Sequence, residues 1–351
     1  MTELAISTAG LRKSYRTLRG RRVAVDSLDL AVPRGGVHGF LGPNGSGKTT
    51  TIRMLLGLVR PDRGQMTILG RAVPRRLPEV IGQVGAVVER PRFFPNFSAR
   101  LNLELAADAA GVPRARVGRV LDQVGLTERA KDPYRTYSLG MQQRLAVAAT
   151  LLKDPELLIF DEPTNGLDPS GIHEVRETIR SLGREGRTVL VSSHILSEVE
   201  QMADTVSIVG KGRLLTSGSV VDLLGARASR MRIQVDDSTR AAQLLVQQGL
   251  AVIPEGTALL VEGSGDPARI TRLLADEGLY LRELVSVRRD LEAVYLELTR
   301  KQGLEPTVGP GIELPPLLPS QRRRDDIVAR STESRPTGSR ITEARPADEE
   351  N

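Results

Sequence analysis

One segment of this chain, residues 42–49, sets narrow limits on the fold, because it spells Gly-Pro-Asn-Gly-Ser-Gly-Lys-Thr and fits the pattern of a phosphate-binding loop. The apolar run 37–41 before it predicts a buried strand, and residues 50–56 after it predict a helix. Glycines let the backbone N–H groups of such a loop converge on phosphate oxygens, and the helix N-terminus adds a positive dipole. A glycine-rich turn that matches by chance is the alternative, but the strand and the helix on either side favour a nucleotide site.

The residues of this loop have separate predicted tasks in binding a nucleotide. Lys48 reaches the β- and γ-phosphates, where it also serves catalysis, and the Thr49 hydroxyl binds Mg²⁺. The residues predicted to contact the nucleotide here are Gly42, Pro43, Asn44, Gly45, Ser46, Gly47, Lys48, Thr49 and the next residue, Thr50.

Composition excludes several other classes of protein. The chain has no cysteine, which excludes disulfides and thiolate metal sites, and no apolar run approaches the ~18 residues of a membrane span. Its first residues lack the pattern of a signal peptide, so we expect a soluble intracellular chain. The formal charge is +6, but the arginines are scattered, which is more typical of a solvated surface than of a nucleic-acid interface. We therefore expect no nucleic-acid partner.

Three regions differ in their sequence texture. Residues 1–225 alternate apolar strands with helical patterns, which predicts an α/β domain with a largely parallel sheet. Residues 228–299 predict a small α+β domain, which ends in a helix from Leu291 to Leu298. Residues 300–351 are rich in Pro, Arg, Ser, Thr and Glu without periodicity, which predicts a disordered tail. The strands predicted in the first region are 37–41, 84–88, 157–160 and 188–192, together with a hairpin over 205–215.

Two acids stand at the end of a predicted buried strand, residues 157–160. Such a strand would deliver Asp161 to a metal ion beside the phosphates, and Glu162 would face the attacking water as a general base. Surface acids at the end of an ordinary strand are the alternative, and the preceding phosphate loop makes it the weaker one.

A second anion site is predicted at Ser138, a good N-cap for a helix over Met141–Lys153. The Ser138 hydroxyl and the Gly140 N–H lie at a helix N-terminus, which favours anions. Residues 42–49 already serve the phosphates of the same domain, so this site favours a nucleotide held by another subunit. An ordinary helix cap remains the alternative.

With these segments the chain resembles the nucleotide-binding subunit of ATP-binding-cassette (ABC) transporters. Tyr137–Met141 takes the place of the family's Leu-Ser-Gly-Gly-Gln signature; it keeps Ser138 and Gly140 and departs at the other three positions. The resemblance implies a P-loop NTPase fold with a mixed sheet core and a helical subdomain, ATP and Mg²⁺ as cofactors, and a homodimer. In that dimer Ser138 and Gly140 hold the γ-phosphate bound to Lys48 of the opposite subunit.

The resemblance also implies roles for four further positions. His194 takes the place of a catalytic histidine that touches the γ-phosphate, and residues 165–168 take the place of a dimer-contact loop. Tyr15 would stack on adenine, although a surface tyrosine is the alternative. Glu89 stands where the family usually has a glutamine that contacts Mg²⁺ and links to the membrane partner. This glutamate and the form of the signature are similar to those of exporters of the daunorubicin and bacitracin type.

Three of the five phenylalanines fall within residues 93–97. They predict either a local staple or a docking patch, and aromatic side chains are favoured anchors at interfaces. The resemblance implies that this region receives a helix of an integral membrane permease, which would place the chain at the cytoplasmic side of the cell membrane. It further implies export of a hydrophobic or amphiphilic compound such as an antibiotic.

Other functions of the same cassette stay open. An exporter for a lipid, polysaccharide or other envelope component is the alternative. ATPases of translation and DNA repair carry two cassettes or a long coiled coil, and this sequence has neither. A regulator that binds a nucleotide without turnover is disfavoured by Glu162 and His194.

Overall fold

Eleven strands occur between residues 4 and 219 of the computed structural model, which describes residues 3–18, 20–88, 92–224, 230–263, 266–287 and 290–301. They are β1 (Leu4–Thr17), β2 (Gly20–Leu28), β3 (Ala31–Pro33), β4 (Gly36–Leu41), β5 (Arg63–Ile68), β6 (Arg71–Val73), β7 (Val84–Val87), β8 (Leu157–Asp161), β9 (Thr188–Ser193), β10 (Thr205–Gly210) and β11 (Arg213–Ser219). One sheet has the order β11-β10-β4-β9-β8-β7, and every neighbouring pair in it is parallel except the β10–β11 hairpin. The other five strands form an antiparallel sheet around β1.

Eight helices of this part cover the sheets; they are α1 (Lys48–Leu55), α2 (Leu77–Val80), α3 (Ala99–Ala109), α4 (Ala115–Gln123), α5 (Leu139–Leu151), α6 (Pro169–Arg184), α7 (Leu196–Glu200) and α8 (Val220–Leu224), all within the described residues. Helices α3, α4 and α5 pack against one another and form a helical subdomain. Their apolar residues recur at helical spacing, as Val117, Val120 and Leu121 do in α4, so each helix buries one face.

Both faces of the parallel sheet are buried, which explains why its strands read as continuous apolar runs. On β8, Leu158 and Phe160 point into one hydrophobic core, and Leu157 and Ile159 point into the other. The strand turns polar only at its carboxyl end, where Asp161 emerges. The core thereby fixes where the acids of the site lie.

The segment after residue 229 forms a third sheet with its own core. Its elements are β12 (Arg230–Val235), α9 (Ser238–Gln247), β13 (Ala251–Glu255), β14 (Ala258–Glu262), α10 (Pro267–Asp276) and β15 (Leu281–Val287). The order β13-β14-β12-β15 with antiparallel neighbours is a ferredoxin-like arrangement. Ile233, Leu245 and Ile270 are fully buried between this sheet and its two helices.

A last helix, α11 (Leu291–Lys301), does not contribute to the hydrophobic core of that sheet. Its buried residues Leu291 and Val294 join the hydrophobic core of the first region, against α7 and α8. The backbone N–H of Leu291 also donates to Glu200 Oε2 at 3.1 Å. The sequence placed this helix with the 228–299 region, whereas its apolar stripe is covered by the first region. Residues 302–351, and with them nearly all of the expected tail, lie outside the described residues.

His38 is an unusual residue inside the parallel sheet, since only 2% of it is exposed. Its Nδ1 lies 2.7 Å from Thr205 Oγ1 and its Nε2 lies 3.0 Å from Ser207 Oγ, both on β10. Burial lowers the pKa of His38 to about 4, because the charged ring would lose its hydration there. The imidazole is therefore neutral at physiological pH and is satisfied by hydroxyl groups.

The strands predicted for the parallel sheet and the 205–215 hairpin are confirmed, with ends that differ by one to four residues. The antiparallel sheet and β13 were not predicted. The helix expected over 141–153 instead spans Leu139–Leu151, because Ser138 caps it directly and its first turn begins at the next residue. Among the described helices, not one combines the length and the apolar character that a membrane span requires.

Candidate functional site

The phosphate loop connects β4 to α1, and two of its glycines lie where the Cβ of any other residue would clash with the backbone. Gly47 has a φ of 105°, and a Cβ there would lie 2.6 Å from the carbonyl oxygen of Ala24. At Gly42 a Cβ would collide with the carbonyl oxygen of Val209. The Ser46 hydroxyl is buried and has no hydrogen-bond partner among the described residues. A phosphate or similar anion bound in this glycine-rich loop would give the buried hydroxyl group an acceptor.

A neighbouring hairpin supports the loop from the side. The N–H of Gly212, in the turn between β10 and β11, donates to the carbonyl oxygen of Ser46 at 3.0 Å. The carbonyl oxygen of Gly212 in turn accepts from the N–H of Asp26 on β2 at 2.9 Å. The turn therefore ties the phosphate loop to β2, although the two segments are far apart in sequence.

Lys48, Glu162 and His194 form a chain of polar contacts at the mouth of the loop. Lys48 Nζ donates to the carbonyl oxygen of Gly42 at 2.6 Å and lies 3.1 Å from Glu162 Oε1. The other carboxylate oxygen, Oε2, lies 2.6 Å from His194 Nδ1. An arriving phosphate would compete with Glu162 for the ammonium group of Lys48, which would release the carboxylate for another partner. The structure thus brings together the three residues that the sequence predicted as catalytic.

The backbone holds Glu162 in a strained position. Its φ is 51°, which is uncommon for a residue other than glycine, and its N–H donates to the carbonyl oxygen of Ser192 at 3.2 Å. The Ser192 hydroxyl donates to Asp161 Oδ1 at 2.5 Å, so β9 orients both acids. Strain of this kind is typical of functional sites whose surroundings hold one geometry.

The expected metal ligands are only partly described. Thr49 lies in the first turn of α1, and α1 packs against β8, which carries Asp161. Glu89 lies outside the described residues. The described residues contain no group of three or more metal-ligating side chains, but Mg²⁺ in nucleotide sites uses one or two carboxylates together with phosphates and water. The oxygens of Thr49 and Asp161 fit that donor set.

An open cleft of about 400 Å³ joins the loop to β1 and β2. The residues that line it are Tyr15, Thr17, Arg22, Ala24, Asn44, Gly45, Gly47, Lys48, Thr49, Thr50, Glu162 and Asn165. Tyr15 is therefore on the same cleft as the phosphate loop, and Lys13 Nζ lies 5.6 Å from the centre of its ring. Thr17 and Arg22 were not predicted, because only the pairing of β1 with β2 brings them there.

The second anion site lies apart from this cleft. Ser138 Oγ caps α5 by accepting from the N–H of Met141 at 3.3 Å, and neither Ser138 nor Gly140 lines the cleft among the described residues. A Cβ at Gly140 would lie 3.1 Å from the Cα of Gly171, so the glycine lets α5 approach α6 closely. The helix N-terminus at Ser138 is therefore not part of the cleft of its own chain.

A buried hydrogen bond links the segments that follow the two catalytic side chains. Thr164 Oγ1 donates to Glu198 Oε2 at 2.5 Å, and both residues are buried. Thr164 follows Glu162 by two residues, and Glu198 lies on α7, which follows His194. This link was not predicted, because the two residues are 34 positions apart.

The aromatic segment after residue 92 divides into a buried and an exposed part. The ring of Phe93 packs edge-on against Tyr134, with 5.2 Å between their centres. Phe94 and Phe97 contact each other and remain 58% and 39% exposed. Asn102 fixes the segment, because its side chain bonds both the N–H and the carbonyl oxygen of Phe94. Phe93 is thus a local staple, and the other two rings form an exposed pair.

Comparisons with known proteins point to one family. The family model described as ABC transporter matches residues 25–165. An uncharacterized ABC transporter ATP-binding protein of Bacillus subtilis (strain 168) is 40% identical over 82% of this chain and 95% of that protein. The bacitracin transport ATP-binding protein of Bacillus licheniformis is 38% identical over 84% of this chain and 96% of that protein. The daunorubicin resistance ATP-binding protein of Streptomyces coeruleorubidus is 36% identical over 85% and 97%.

Solved structures agree on the fold. An ATP-binding subunit of an ABC transporter is 29% identical with a TM-score of 0.54, over 63% of this chain and 92% of that one. An ATP-binding cassette solved as a dimer in a post-hydrolysis state, bound to ADP and Pi, is 22% identical with a TM-score of 0.53. That match covers 61% of this chain and 98% of the cassette.

Proposed function

Since the chain belongs to the ATP-binding proteins of ABC transporters, we propose that it hydrolyses ATP to drive export of a hydrophobic or amphiphilic compound, such as an antibiotic, through a separate permease. The observation that carries the enzymatic part is the contact chain of Lys48, Glu162 and His194 at the mouth of the phosphate loop. The relatives named for bacitracin transport and daunorubicin resistance support the choice of cargo, because they match beyond the cassette into the C-terminal region.

We assign a residue to each step of hydrolysis. Backbone N–H groups of residues 44–49 and the Lys48 ammonium bind the phosphates, and Tyr15 stacks on the base. Thr49 and Asp161 would hold Mg²⁺, which neutralises phosphate charge when it is bound. Glu162, displaced from Lys48 by the phosphates, accepts a proton from the attacking water. His194 holds the Glu162 carboxylate on its other side and would contact the γ-phosphate of a bound nucleotide.

The second anion site supports action as a homodimer. We propose that Ser138 and Gly140 of one copy cap the γ-phosphate that lies on Lys48 of the other. The separation of Ser138 from the cleft of its own chain supports this arrangement. An equal mixture of Lys48→Ala and Ser138→Arg chains should regain at most one working site per dimer. Full ATPase activity of a verified monomer would contradict the arrangement.

The exposed aromatic pair supports a docking site for the permease. We propose that Phe94 and Phe97 receive a cytoplasmic helix of that membrane protein, which places the chain at the cytoplasmic face of the membrane. Aromatic anchors at interfaces often contribute ~2 kcal/mol or more each. Replacing both with alanine should reduce recovery in the membrane fraction of cells that contain the permease, while ATP binding stays normal. Phe93→Ala is unsuitable as the test because its ring supports the fold.

The test of ATP hydrolysis is Glu162→Gln in the full chain. Loss of a general base typically reduces turnover by about 10²–10⁴-fold, while the neutral amide leaves ATP binding intact. Glu156→Gln is the matched control, since Glu156 precedes the same strand and its side chain is half exposed. Near-normal turnover in Glu162→Gln would move the base elsewhere, with Glu89 as the first residue to replace.

The cargo is tested in cells. Loss of this chain should increase sensitivity to lipophilic antibiotics of the bacitracin or daunorubicin kind, and the Glu162→Gln chain should fail to restore resistance. Unchanged sensitivity together with accumulation of a lipid or polysaccharide would instead identify an exporter of an envelope component.

A further inference from the structure

A second cation, Arg22, lines the nucleotide cleft together with Lys48. Tyr15 on β1 pairs directly with Arg22 on β2, so their side chains share one face of the antiparallel sheet. Thr17 and Ala24, each two positions further along its strand, line the same cleft, as the two-residue period requires. Arg21, one position before Arg22, faces the opposite side, where a separate small cavity contains it together with Ser14 and Asp62.

The guanidinium group of Arg22 reaches the phosphate loop. A Cβ built on Gly45 would lie 3.3 Å from Arg22 Nη2, which places the group beside the third position after Gly42. Arg22 therefore lies between Tyr15, which we assign to the base, and the loop that binds the phosphates. A nucleotide that spans this cleft has its α- and β-phosphates in that interval.

The donors of Arg22 are uncommitted, in contrast to those of its neighbours. Arg21 donates from Nε to Ser14 Oγ at 2.9 Å, and Arg213 donates from Nε to Asp26 at 3.0 Å. Lys48 is engaged by Gly42 and Glu162. The side chain of Arg22 forms no hydrogen bond or ion pair with any of the described residues. A planar fork of N–H donors that lines a phosphate cleft and has no internal acceptor fits an anionic oxygen of the ligand.

We propose that Arg22 binds the α- and β-phosphate oxygens of the nucleotide and so sets the affinity for ATP and ADP alike. This inference rests on the proposed nucleotide function of the cleft. Because the contact lies away from the γ-phosphate and Glu162, Arg22 does not act in the chemical step. It retains the nucleotide through hydrolysis, and its replacement weakens the binding of both ATP and ADP.

The test compares Arg22→Ala with Arg21→Ala, two exposed arginines that are adjacent on β2 and point to opposite faces. Dissociation constants of the full chain are measured for ATP and for ADP with Mg²⁺, at low and at moderate NaCl. Arg22→Ala should weaken both nucleotides by about tenfold, the scale of one charge-assisted hydrogen bond at an exposed site. Arg21→Ala should stay within about twofold of the wild type, because a distant exposed charge is largely screened.

Kinetics and salt provide readouts that a merely structural role would not move. Arg22→Ala should raise the KM for ATP by about tenfold and change kcat by less than about twofold. The lost contact stabilises the bound substrate and the transition state equally, so the barrier between them stays the same. Its nucleotide affinity should also depend less steeply on NaCl than that of the wild type, because one phosphate-directed charge is missing.

Three results would overturn the inference: unchanged affinities in Arg22→Ala, an equal loss in Arg21→Ala, or a loss confined to ATP. The outcome is separable from that of the proposed function. A wild-type chain that binds ADP but never hydrolyses ATP refutes the function and leaves the Arg22 comparison intact. A normal ATPase whose Arg22→Ala variant binds ADP like the wild type refutes only the role of Arg22.

Discussion

Replacement of His38 with glutamine should make the fold less sensitive to acid. In the folded chain burial holds the pKa of His38 at about 4, whereas an unfolded chain has the ordinary value of 6.5. Between these two pKa values the unfolded chain binds a proton at this ring and the folded chain does not. The free energy of unfolding therefore keeps its full value above pH 6.5 and decreases as the pH falls toward about 4. From the two pKa values of His38, the free energy of unfolding decreases by about 2 kcal/mol at pH 5 and by about 3 kcal/mol at pH 4 and below.

The free energy of unfolding is measured in urea at pH 7.5 and at pH 5.0. Circular dichroism reports the transition, because the chain contains no tryptophan. Carboxylates also titrate, so the decisive quantity is the difference between the wild type and His38→Gln. The variant should lose about 2 kcal/mol less between the two pH values, even if it is less stable at both. His173→Gln, which alters an exposed histidine on α6, is the control and should behave like the wild type.

Equal losses in the wild type and in His38→Gln would refute the reasoning, because the acid sensitivity would then come from other groups. A loss in His173→Gln as small as that in His38→Gln would show that burial is not the cause. Either result would refute the claim that burial of a neutral His38 against the hydroxyl groups of β10 makes the fold sensitive to acid.

Two other predictions concern the phosphate loop and the segment after the acids. Gly47→Ala should reduce the affinity for ATP by more than tenfold, because the new Cβ meets the Ala24 carbonyl oxygen at 2.6 Å and the backbone must shift. ATP binding is measured by calorimetry. Gly118→Ala, whose new Cβ has nothing within 4 Å, is the control and should bind ATP normally. Thr164→Val should cost about 1–3 kcal/mol in urea unfolding, since Glu198 stays buried without its donor. Thr164→Ser retains the hydroxyl and should recover most of that stability, and equal stability of the two variants would contradict the role of the bond.

Local patterns made the phosphate loop, the two acids at the end of β8 and the Ser138 cap predictable from sequence. In each case the chemistry depends on residues within one strand, turn or helix, so spacing alone identifies it. Sequence periodicity also fixed β8 as a strand buried on both faces, because Leu157–Phe160 has no polar alternation. The two hydrophobic cores later explained that run, with one core on each face.

Features that depend on strand pairing escaped prediction. The alternation of β1 is interrupted at Gly10, and its register against β2 and β5 shifts near there, so no simple two-residue period survives along its 14 residues. In the sequence Arg22 is one of many scattered arginines typical of a solvated surface, and only its pairing with Tyr15 brings it to the cleft. The Thr164–Glu198 bond has the same origin, because it joins the loop after β8 to helix α7 after β9, and only the pairing of these two strands brings the segments together.

The position of α11 changes how the chain should be divided. The ferredoxin-like sheet begins after α8 and is followed by α11, and these two helices lie side by side on the first region. The sheet is thus inserted into the nucleotide-binding part rather than appended to it. A protein cut near residue 225 would lack Leu291 and Val294, and its core would present an open apolar surface beside α7 and α8. A minimal cassette therefore keeps residues 290–301 and joins them to α8 by a short linker in place of residues 230–287.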